Sequence, residues 1–359
     1  MYEHRPRLFC ILGKCFPKYM TKKSGEYFLV IILLPLHILF KEVDKMRENK
    51  KRQQILNVLA KSIRAIIENE ELDFEKLEEI RLRIDQPLIV EYENVEMVLP
   101  SKAKNKHIVT KEEIRETMDY ICKYSLYAYE QELKQGFVTI EGGHRAGVMG
   151  KVILENNRVK NLQYISSVNI RVAHEIIGCA DSIMQYITKN REVCHTLIIS
   201  PPRCGKTTLI RDIIRQISDG NRYVRGCTVG VVDERSELGG CYLGVAQNHL
   251  GMRTDILDCC PKAEGMIMLI RSMAPHVLAI DEIGTSEDVH AVEYAMQCGC
   301  KLIASVHGMD MEEASQKPVL GDLIRKRRFE RYVILENKHH PGEIKTIYDE
   351  RGSLLCSGL

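Results

Sequence analysis

The stretch Leu197-Ile-Ile-Ser-Pro-Pro-Arg-Cys-Gly-Lys-Thr-Thr208 joins an apolar run to a Gly-Lys-Thr turn, and it decides the fold class of this chain. An apolar strand, a tight loop and a helix in this order are typical of a phosphate-binding P-loop. We therefore predict an α/β fold with a nucleotide site at the start of the helix. The apolar positions that predict this helix by their spacing are Leu209, Ile210, Ile213, Ile214 and Ile217.

The chemistry of such a loop assigns roles to its residues. Backbone N–H groups and the positive end of the helix cradle a triphosphate, a lysine reaches the outer phosphates, and a threonine hydroxyl binds Mg²⁺. Here these two side chains are Lys206 and Thr207, and the predicted cofactors are ATP and Mg²⁺. The predicted nucleotide-binding residues are Ser200, Pro201, Pro202, Arg203, Cys204, Gly205, Lys206, Thr207 and Thr208.

The loop departs from the pattern G-x-x-x-x-G-K-[ST] at its first position, where Ser200 replaces glycine. Arg203 also adds a bulky charge where a small residue is common. A left-handed backbone angle at position 200 costs a residue with a side chain about 1 to 2 kcal/mol. We expect nucleotide binding to survive that cost in weakened form.

Three more apolar runs each end in polar residues, which favours a parallel sheet that presents its ligand site at the carboxyl ends of the strands. Polar residues after a single strand are unremarkable, but three such strands at one sheet edge indicate a site. The runs and the residues that follow them are Val229–Val232 with Asp233 and Glu234, Val277–Ile280 with Asp281 and Glu282, and Lys301–Val306 with His307.

Magnesium chemistry distinguishes these residues. A metal held by Thr207 needs a nearby carboxylate, and Asp281 ends a strand that we expect beside the P-loop, so these two residues are the predicted metal ligands. Glu282 is the candidate that orients and polarises the attacking water. Ser305 and His307 are candidates for contacting the γ-phosphate. A structural histidine bonded to a backbone carbonyl is the alternative for His307.

Two further groups of charged residues belong to the candidate site. Asp233 and Glu234 are candidates for polarising water or ordering the outer shell of the metal. Arg235, Arg253 and Arg271 are candidates for neutralising developing phosphate charge, either from the same chain or from a neighbour. The sequence does not rank these three arginines.

Composition narrows the function classes. The chain has 51 Lys plus Arg against 49 Asp plus Glu, so no overall basic field favours nucleic acid as a partner. Its 13 Cys include no Cys-x-x-Cys pair with a matching Cys or His partner. This pattern favours reduced thiols in a cytosolic protein over disulfides or a cysteine metal site.

The length of 359 residues predicts two domains, a mixed α/β N-terminal domain over 47–180 and a P-loop ATPase domain over 181–359. Residues 1–46 are an extension whose apolar stretch Tyr27–Phe40 is too short for a comfortable span of about 20 residues. We interpret the extension as lying outside the native fold, upstream of a start at Met46, or else as a peripheral membrane anchor. It lacks the small-residue cleavage site of a signal peptide.

The N-terminal half contains few chemical signals. Thr110-Lys-Glu-Glu113 predicts a capping box at the start of a helix. His144 and Arg145 follow a Gly-Gly turn, and Arg171 lies on an alternating strand. These three side chains are either ordinary polar residues of a turn and a strand face, or they contact a nucleotide or a neighbouring subunit.

Five motifs resemble the signatures of the stage III sporulation protein AA family, and the resemblance covers roughly Ile55 to the C-terminus. That family is similar to the hexameric ATPases of bacterial type II and type IV secretion. In this comparison Arg271–Gly284 resembles the Walker B segment, Asp233-Glu234 the aspartate box and His307 the histidine box. The five motifs are Gly142–Arg145, Ile165–Arg171, Val231–Gly240, Arg271–Gly284 and Ala304–Gly308.

The resemblance implies a RecA-like ATPase that forms a homo-oligomer, a hexameric ring, with nucleotide sites at subunit boundaries. It implies ATP-driven work for a channel between mother cell and developing spore. The protein would act from the mother-cell cytoplasm, peripherally associated with the membrane proteins of that channel complex. Two alternatives stay open, namely a nucleic-acid-associated P-loop ATPase and a scaffold that binds nucleotide without turnover.

Overall fold

The computed structural model describes residues 20–23, 26–29, 48–100, 105–202, 204–318, 320–336 and 342–359. The chain forms two compact units, Met1–Gln53 and Gln54–Leu359. In the first unit, β1 (Met20–Lys23) and β2 (Glu26–Leu29) pair in antiparallel fashion. The rest of the predicted extension, including its apolar stretch from position 30 onward, lies outside the described residues.

A six-stranded antiparallel sheet organises residues 54–172, which we call the first region. The order of the strands is β5-β4-β3-β8-β7-β6. Their bounds are β3 (Leu77–Arg83), β4 (Ile89–Tyr92), β5 (Val95–Val98), β6 (Phe137–Ile140), β7 (His144–Glu155) and β8 (Arg158–Arg171). Helix α1 (48–57) begins before this region and ends within it, and the helices that follow are α2 (Lys61–Asn69), α3 (Lys111–Ile121) and α4 (Glu130–Lys134).

Successive residues of each strand point to opposite faces of this sheet. The apolar residues share one face, and the helices pack on that face and bury it. Ile80 of β3 and Ile170 of β8 are fully buried in the same core as Ile63 of α2 and Ile114 of α3. The predicted capping box at Thr110 is confirmed, since its hydroxyl accepts the N–H of residue 113 and the reciprocal bond is present. The cap fixes where α3 begins and so how its apolar face meets the sheet.

A mixed eight-stranded sheet organises residues 180–359, which we call the second region. The order is β13-β12-β14-β15-β11-β16-β17-β18, parallel up to β16 and antiparallel beyond it. The bounds are β11 (Thr196–Ser200), β12 (Val229–Asp233), β13 (Thr254–Asp258), β14 (Val277–Glu282), β15 (Lys301–His307), β16 (Arg331–Glu336), β17 (Glu343–Asp349) and β18 (Leu354–Ser357). A separate hairpin comprises β9 (Thr188–Lys189) and β10 (Glu192–Val193).

Helices cover both faces of this sheet. Along β11, Ile198 contributes to one hydrophobic core with Ile213, whereas its neighbours Leu197 and Ile199 contribute to the other with Leu269. Every residue of β11 is buried, and its three central residues form a continuous apolar run rather than an alternating pattern. The helices are α5 (Lys206–Asp219), α6 (Lys262–Ser272), α7 (Ser286–Gln297), α8 (Met311–Gln316) and α9 (Leu320–Arg325).

One expectation about strand order is wrong. The strand that ends in Asp281 was expected beside the P-loop strand, but β15 lies between β14 and β11. Sequence order does not determine spatial order in a parallel sheet, because helical crossovers can skip a strand position. The inserted strand places Ser305 and His307 next to the P-loop strand, in register with Ile198 and Ser200.

A buried carboxylate ties the connection between the two regions to α5. Asp212 is 3% exposed and accepts hydrogen bonds from the N–H groups of Gly178 at 3.1 Å and Ala180 at 2.9 Å. Its other oxygen accepts from Arg215 Nε at 2.8 Å. Asp212 is therefore a structural charge that anchors the connecting segment.

We expect Asp212→Ala to lower the free energy of unfolding by about 2 to 4 kcal/mol, since it leaves buried donors without an acceptor. The measurement is urea denaturation followed by circular dichroism. Asp322→Ala is the control, because it removes an exposed pair with Arg325 and should cost less than about 1 kcal/mol. Equal small losses in both variants would contradict the anchoring role.

Candidate nucleotide site

The P-loop geometry places backbone strain on glycine. Gly205 has φ 75° and is the N-cap of α5, so the left-handed position of the loop is filled by the residue that tolerates it. Ser200 ends β11 with an ordinary extended backbone, so the left-handed cost considered above does not arise there. Its hydroxyl donates to Pro201 O at 2.8 Å. Arg203 lies outside the described residues.

Three side chains converge on Asp281. Its Oδ1 lies 3.4 Å from Lys206 Nζ and accepts from Ser305 Oγ at 3.2 Å. Its Oδ2 lies 3.4 Å from Thr207 Oγ1. Lys206 is 8% exposed and Ser305 is fully buried, whereas the side chain of Asp281 is 21% exposed, so the carboxylate is half-buried. The tip of β14 is therefore joined to the start of α5 and to β15.

An irregularity in the pairing of β14 with β15 sets the direction of the Asp281 side chain. The pairing of β14 with β15 shifts register between Ala279 and Glu282, and Glu282 then pairs with Ser305. Ile283 N–H donates to Ser305 O at 2.8 Å. A β-bulge changes the direction of the side chains around it. This one turns Asp281 toward the P-loop, a feature that no sequence pattern indicated.

Glu282 and His307 form a second contact at the same edge. Glu282 Oε2 lies 3.2 Å from His307 Nε2, and His307 Nδ1 lies 3.4 Å from Ser200 O. Both ring nitrogens therefore face oxygen atoms, and the imidazole connects Glu282 to the end of the P-loop strand. The carbonyl contact that we considered as the structural alternative for His307 is present together with the contact to Glu282.

Asp233 is buried and organises the loop that follows β12. It is 1% exposed and accepts from the N–H groups of Glu237 at 2.9 Å and Gly239 at 2.8 Å. Burial raises the pKa of Asp233 to about 6, although those two backbone donors act in the opposite direction. With both carboxylate oxygens bonded to its own loop, Asp233 fixes loop geometry.

A cavity of about 500 Å³ opens at the carboxyl ends of β12 and β14, and its lining includes Glu234, Arg235, Asp281 and Glu282. Glu234 forms an ion pair with Lys262 at the start of α6. The cavity meets the P-loop site through Asp281 and Glu282 rather than through the loop itself. The sequence did not indicate Lys262, since a lysine at a helix start carries no recognisable pattern.

The candidate arginines lie in different places. Arg235 is exposed at the cavity, and Arg271 is exposed in the last turn of α6. Arg253 Nη1 donates to Ser218 O at 2.7 Å, at the end of α5 opposite the P-loop. Arg171 is paired with Glu79 of the first region at 2.8 Å. Arg253 therefore lies away from the phosphate site of its own chain.

The remaining candidates of the first region each have a partner within the chain. His144 is buried, and its Nδ1 accepts the N–H of Ala173 at 2.9 Å. Arg145 lies 3.1 Å from Glu237 Oε1. No sequence pattern pairs Glu237 with Arg145.

The residues around Asp281 fit Mg²⁺ and a triphosphate. A threonine hydroxyl and a carboxylate are oxygen donors of the kind that Mg²⁺ takes, and the ion usually keeps several waters and phosphate oxygens as its other ligands. Thr207 and Asp281 would hold the metal, and Lys206 would contact the outer phosphates. Within the described ranges, no group of three or more His, Cys, Asp or Glu side chains forms a further metal site.

Comparison with known proteins identifies the family. The family model described as "Sporulation stage III, protein AA" matches residues 49–355. The chain belongs to this family. Stage III sporulation protein AA of Bacillus subtilis (strain 168) is 41% identical over 305 residues, which cover 84% of this chain and 96% of that protein. Protein SEEDLING PLASTID DEVELOPMENT 1 of Arabidopsis thaliana is 31% identical over 199 residues, covering 51% of this chain and 28% of that protein. The resemblance seen in the motifs is confirmed.

Solved structures show the fold. The ATPase DotB of Yersinia pseudotuberculosis aligns with a TM-score of 0.52 at 13% identity, covering 81% of this chain and 77% of that one. The pilus retraction motor PilT, solved with bound ADP, aligns with a TM-score of 0.50 at 15% identity, covering 78% and 77%. The family member described here therefore shares the α/β fold of these ATPases. Among the described residues, no helix is long and apolar enough to cross a membrane.

The raised pKa of Asp233 predicts a pH dependence of stability. The folded state binds this proton more tightly than the unfolded state, so the contribution is present at low pH and is lost as the pH rises through about 6. Relative to Asp233→Asn, which does not titrate, the natural protein should gain about 2 kcal/mol of unfolding free energy between pH 7 and pH 4.

Chemical denaturation of both proteins across this range measures the difference. Asp219→Asn, a change of the same type in a half-buried residue at the end of α5, is the control. A constant difference between the natural protein and Asp233→Asn at every pH would contradict the assignment.

Proposed function

We propose that this protein binds ATP with Mg²⁺ and hydrolyses it to ADP and phosphate as a motor of the sporulation apparatus. The observation that carries the proposal is the convergence of Lys206, Thr207 and Ser305 on Asp281. These groups meet at the N-terminus of α5, where backbone N–H groups and the helix dipole favour phosphate. The family membership and the fold of DotB and PilT support the same activity.

The contacts suggest a separate role for each residue of the site. Lys206 and the N–H groups of the loop would bind the phosphates, and bound Mg²⁺ would supply charge neutralisation between them. Glu282 would orient the attacking water, because its carboxylate is held by His307 at 3.2 Å and lines the cavity beside Asp281. Asp233 would act indirectly, by fixing the loop that carries Glu234.

The proposed assembly is a homo-oligomeric ring, a hexamer by analogy with secretion ATPases, bound peripherally to the membrane proteins of a channel complex. The ring would act from the mother-cell cytoplasm on a channel to the developing spore. An open nucleotide site gains from an arginine that closes over the γ-phosphate. Arg171, Arg235 and Arg271 are the exposed donors that a neighbouring chain would offer.

The nucleic-acid alternative receives less support from the contacts. The outward face of the first region's sheet carries arginines, but Arg81 and Arg171 both pair with Glu79, and Arg145 pairs with Glu237. Paired guanidinium groups contribute little free positive charge to a phosphate backbone. The departure from the P-loop pattern at Ser200 is what would favour a scaffold without turnover, and that argument weakens because Ser200 adds no left-handed strain to the loop.

We expect Lys206→Ala to weaken ATP binding roughly a hundredfold or more, because phosphate charge would be left uncompensated in a largely buried site. Isothermal titration calorimetry with ATP and Mg²⁺ measures this. Lys301→Ala is the control, since it removes a lysine paired with Glu330 at the opposite end of β15. Equal affinity in the natural protein and Lys206→Ala would refute the P-loop assignment.

Glu282→Gln separates binding from chemistry. The amide keeps the size of the side chain but loses the charge that orients water, so ATP should still bind while hydrolysis falls by about two orders of magnitude. Phosphate release measures turnover, and Glu287→Gln, in the same cavity, should keep the natural rate. If Glu282→Gln hydrolyses ATP normally, Glu234 and Asp233 become the next candidates.

A further inference from the structure

The loop that follows Asp233 connects the nucleotide site to the first region. We call residues 234–248 the bridging loop. Besides its bonds to Asp233, it is held by Arg211 of α5, which donates to Glu237 O at 2.8 Å and Leu238 O at 3.0 Å. Arg211 lies on the helix that begins at Lys206. One side of the bridging loop is therefore fixed to the P-loop helix.

The other side of the bridging loop contacts the turn between β6 and β7. Gly142 N–H donates to Gln247 Oε1 at 3.1 Å. Gly143 and Gly240 approach closely, since a Cβ on Gly240 would lie 3.2 Å from Gly143 Cα. Both glycines have positive φ, 75° and 53°. Only residues without a side chain allow the two backbones to meet in this way.

Arg145 makes the charged contact across this boundary. Its Nη1 lies 3.1 Å from Glu237 Oε1, and the two side chains are 34% and 37% exposed. The guanidinium carbon also lies 3.5 Å from the centroid of the Phe137 ring, on the neighbouring strand β6. Stacking on an aromatic ring restricts the rotamers of an arginine. Arg145 therefore presents its charge to Glu237 from a fixed position.

The position of Glu237 bears on the chemistry of the site. Its N–H is bonded to Asp233, and between these two residues lie Glu234 and Arg235, which line the cavity together with Asp281. A displacement of Glu237 by the first region would move this short segment. The start of the bridging loop is the part that carries charged groups into the cavity.

We propose that Arg145 is a positioning residue that acts within its own chain. Its ion pair with Glu237 holds the bridging loop so that Glu234 stays in the cavity shared with Asp281 and Glu282. Movement of the first region is thereby transmitted to the nucleotide site. The inference rests on the proposed ATP hydrolysis, and it removes Arg145 from the arginines that a chain offers to its neighbour.

Charge reversal across the pair tests the proposal. Arg145→Gln and Glu237→Gln should each lower kcat about fivefold while the affinity for ATP measured by calorimetry stays unchanged, a size expected of a half-exposed pair. The reversed pair, Arg145→Glu with Glu237→Arg, should recover to within about twofold of the natural rate. Arg81→Gln is the matched control, because its ion pairs with Glu79 and Glu91 stay inside the first region. A reversed pair that is as slow as the single variants would overturn the proposal.

Mixing separates action within one chain from action on a neighbour. Lys206→Ala chains keep Arg145 and could donate it to Arg145→Gln chains with intact P-loops. If Arg145 acts in its own chain, the mixture shows no recovery above the sum of the separate rates. Recovery in the mixture would mean that Arg145 serves a neighbouring nucleotide, and the proposal would be wrong.

Hydrogen exchange gives a readout without turnover. In the absence of nucleotide, Arg145→Gln should speed exchange of the Glu237 and Gly239 amides about fivefold relative to the natural protein, and the reversed pair should restore their protection. Unchanged exchange in Arg145→Gln would overturn the positioning role. If the natural protein shows no hydrolysis while these amides respond as expected, the proposed function fails but the contact stands.

Discussion

The carboxylate of Asp281 is the group on which the arrangement of the second region depends. A lysine ammonium and two hydroxyl groups approach its oxygens, and these come from the P-loop helix and from β15. A buried or half-buried carboxylate is stable only where charge and hydrogen bonds compensate its lost hydration. The requirement joins β14, β15 and α5 at one point, and that point is where phosphate and metal would bind.

Two other buried carboxylates organise loops in the same way, but their electrostatics differ. Burial raises the pKa of Asp212, yet the N–H of Ala180 and the guanidinium of Arg215 outweigh it, and the net pKa is lowered. Burial also raises the pKa of Asp233, and there the N–H groups of Gly239 and Glu237 do not outweigh it while Asp258 and Asp281 act in the same direction, so the pKa rises to about 6. The surroundings of Asp212 therefore favour its charged form, whereas those of Asp233, beside the site, disfavour it. Shifted pKa values of this kind are commonly found at functional sites.

The first region contributes to the site through contacts rather than through a catalytic side chain. Gly142 and Gly143 meet the bridging loop by backbone approach, and Arg145 meets it by charge. If the proposed hydrolysis takes place, such contacts would give it a route by which movement of one region changes chemistry in the other. An assembly of several chains would add a second route, in which exposed arginines of one chain meet the nucleotide of the next. The two routes use different residues and so can be separated.

Much of the second region followed from its sequence. The apolar run before Gly205-Lys206-Thr207 and the helical spacing behind it are local patterns, and local patterns depend on hydrophobic periodicity that each segment carries by itself. The carboxyl ends of Val229–Val232 and Val277–Ile280 were predictable for the same reason. Asp281 and Glu282 were therefore identified as site candidates from their positions at strand ends.

Other features depended on which segments meet in space. Three such features are the position of β15 between β14 and β11, the bulge at Asp281, and the pairing of Arg145 with Glu237. The contacts that define them join residues 24 to 107 positions apart in the sequence. No periodicity in the sequence encodes these contacts. A polar residue at a strand end or in a turn fits the same local pattern whether its partner is water or a distant side chain. The sequence by itself determined the elements and the chemical groups of this protein, and the tertiary structure decided which of those groups meet.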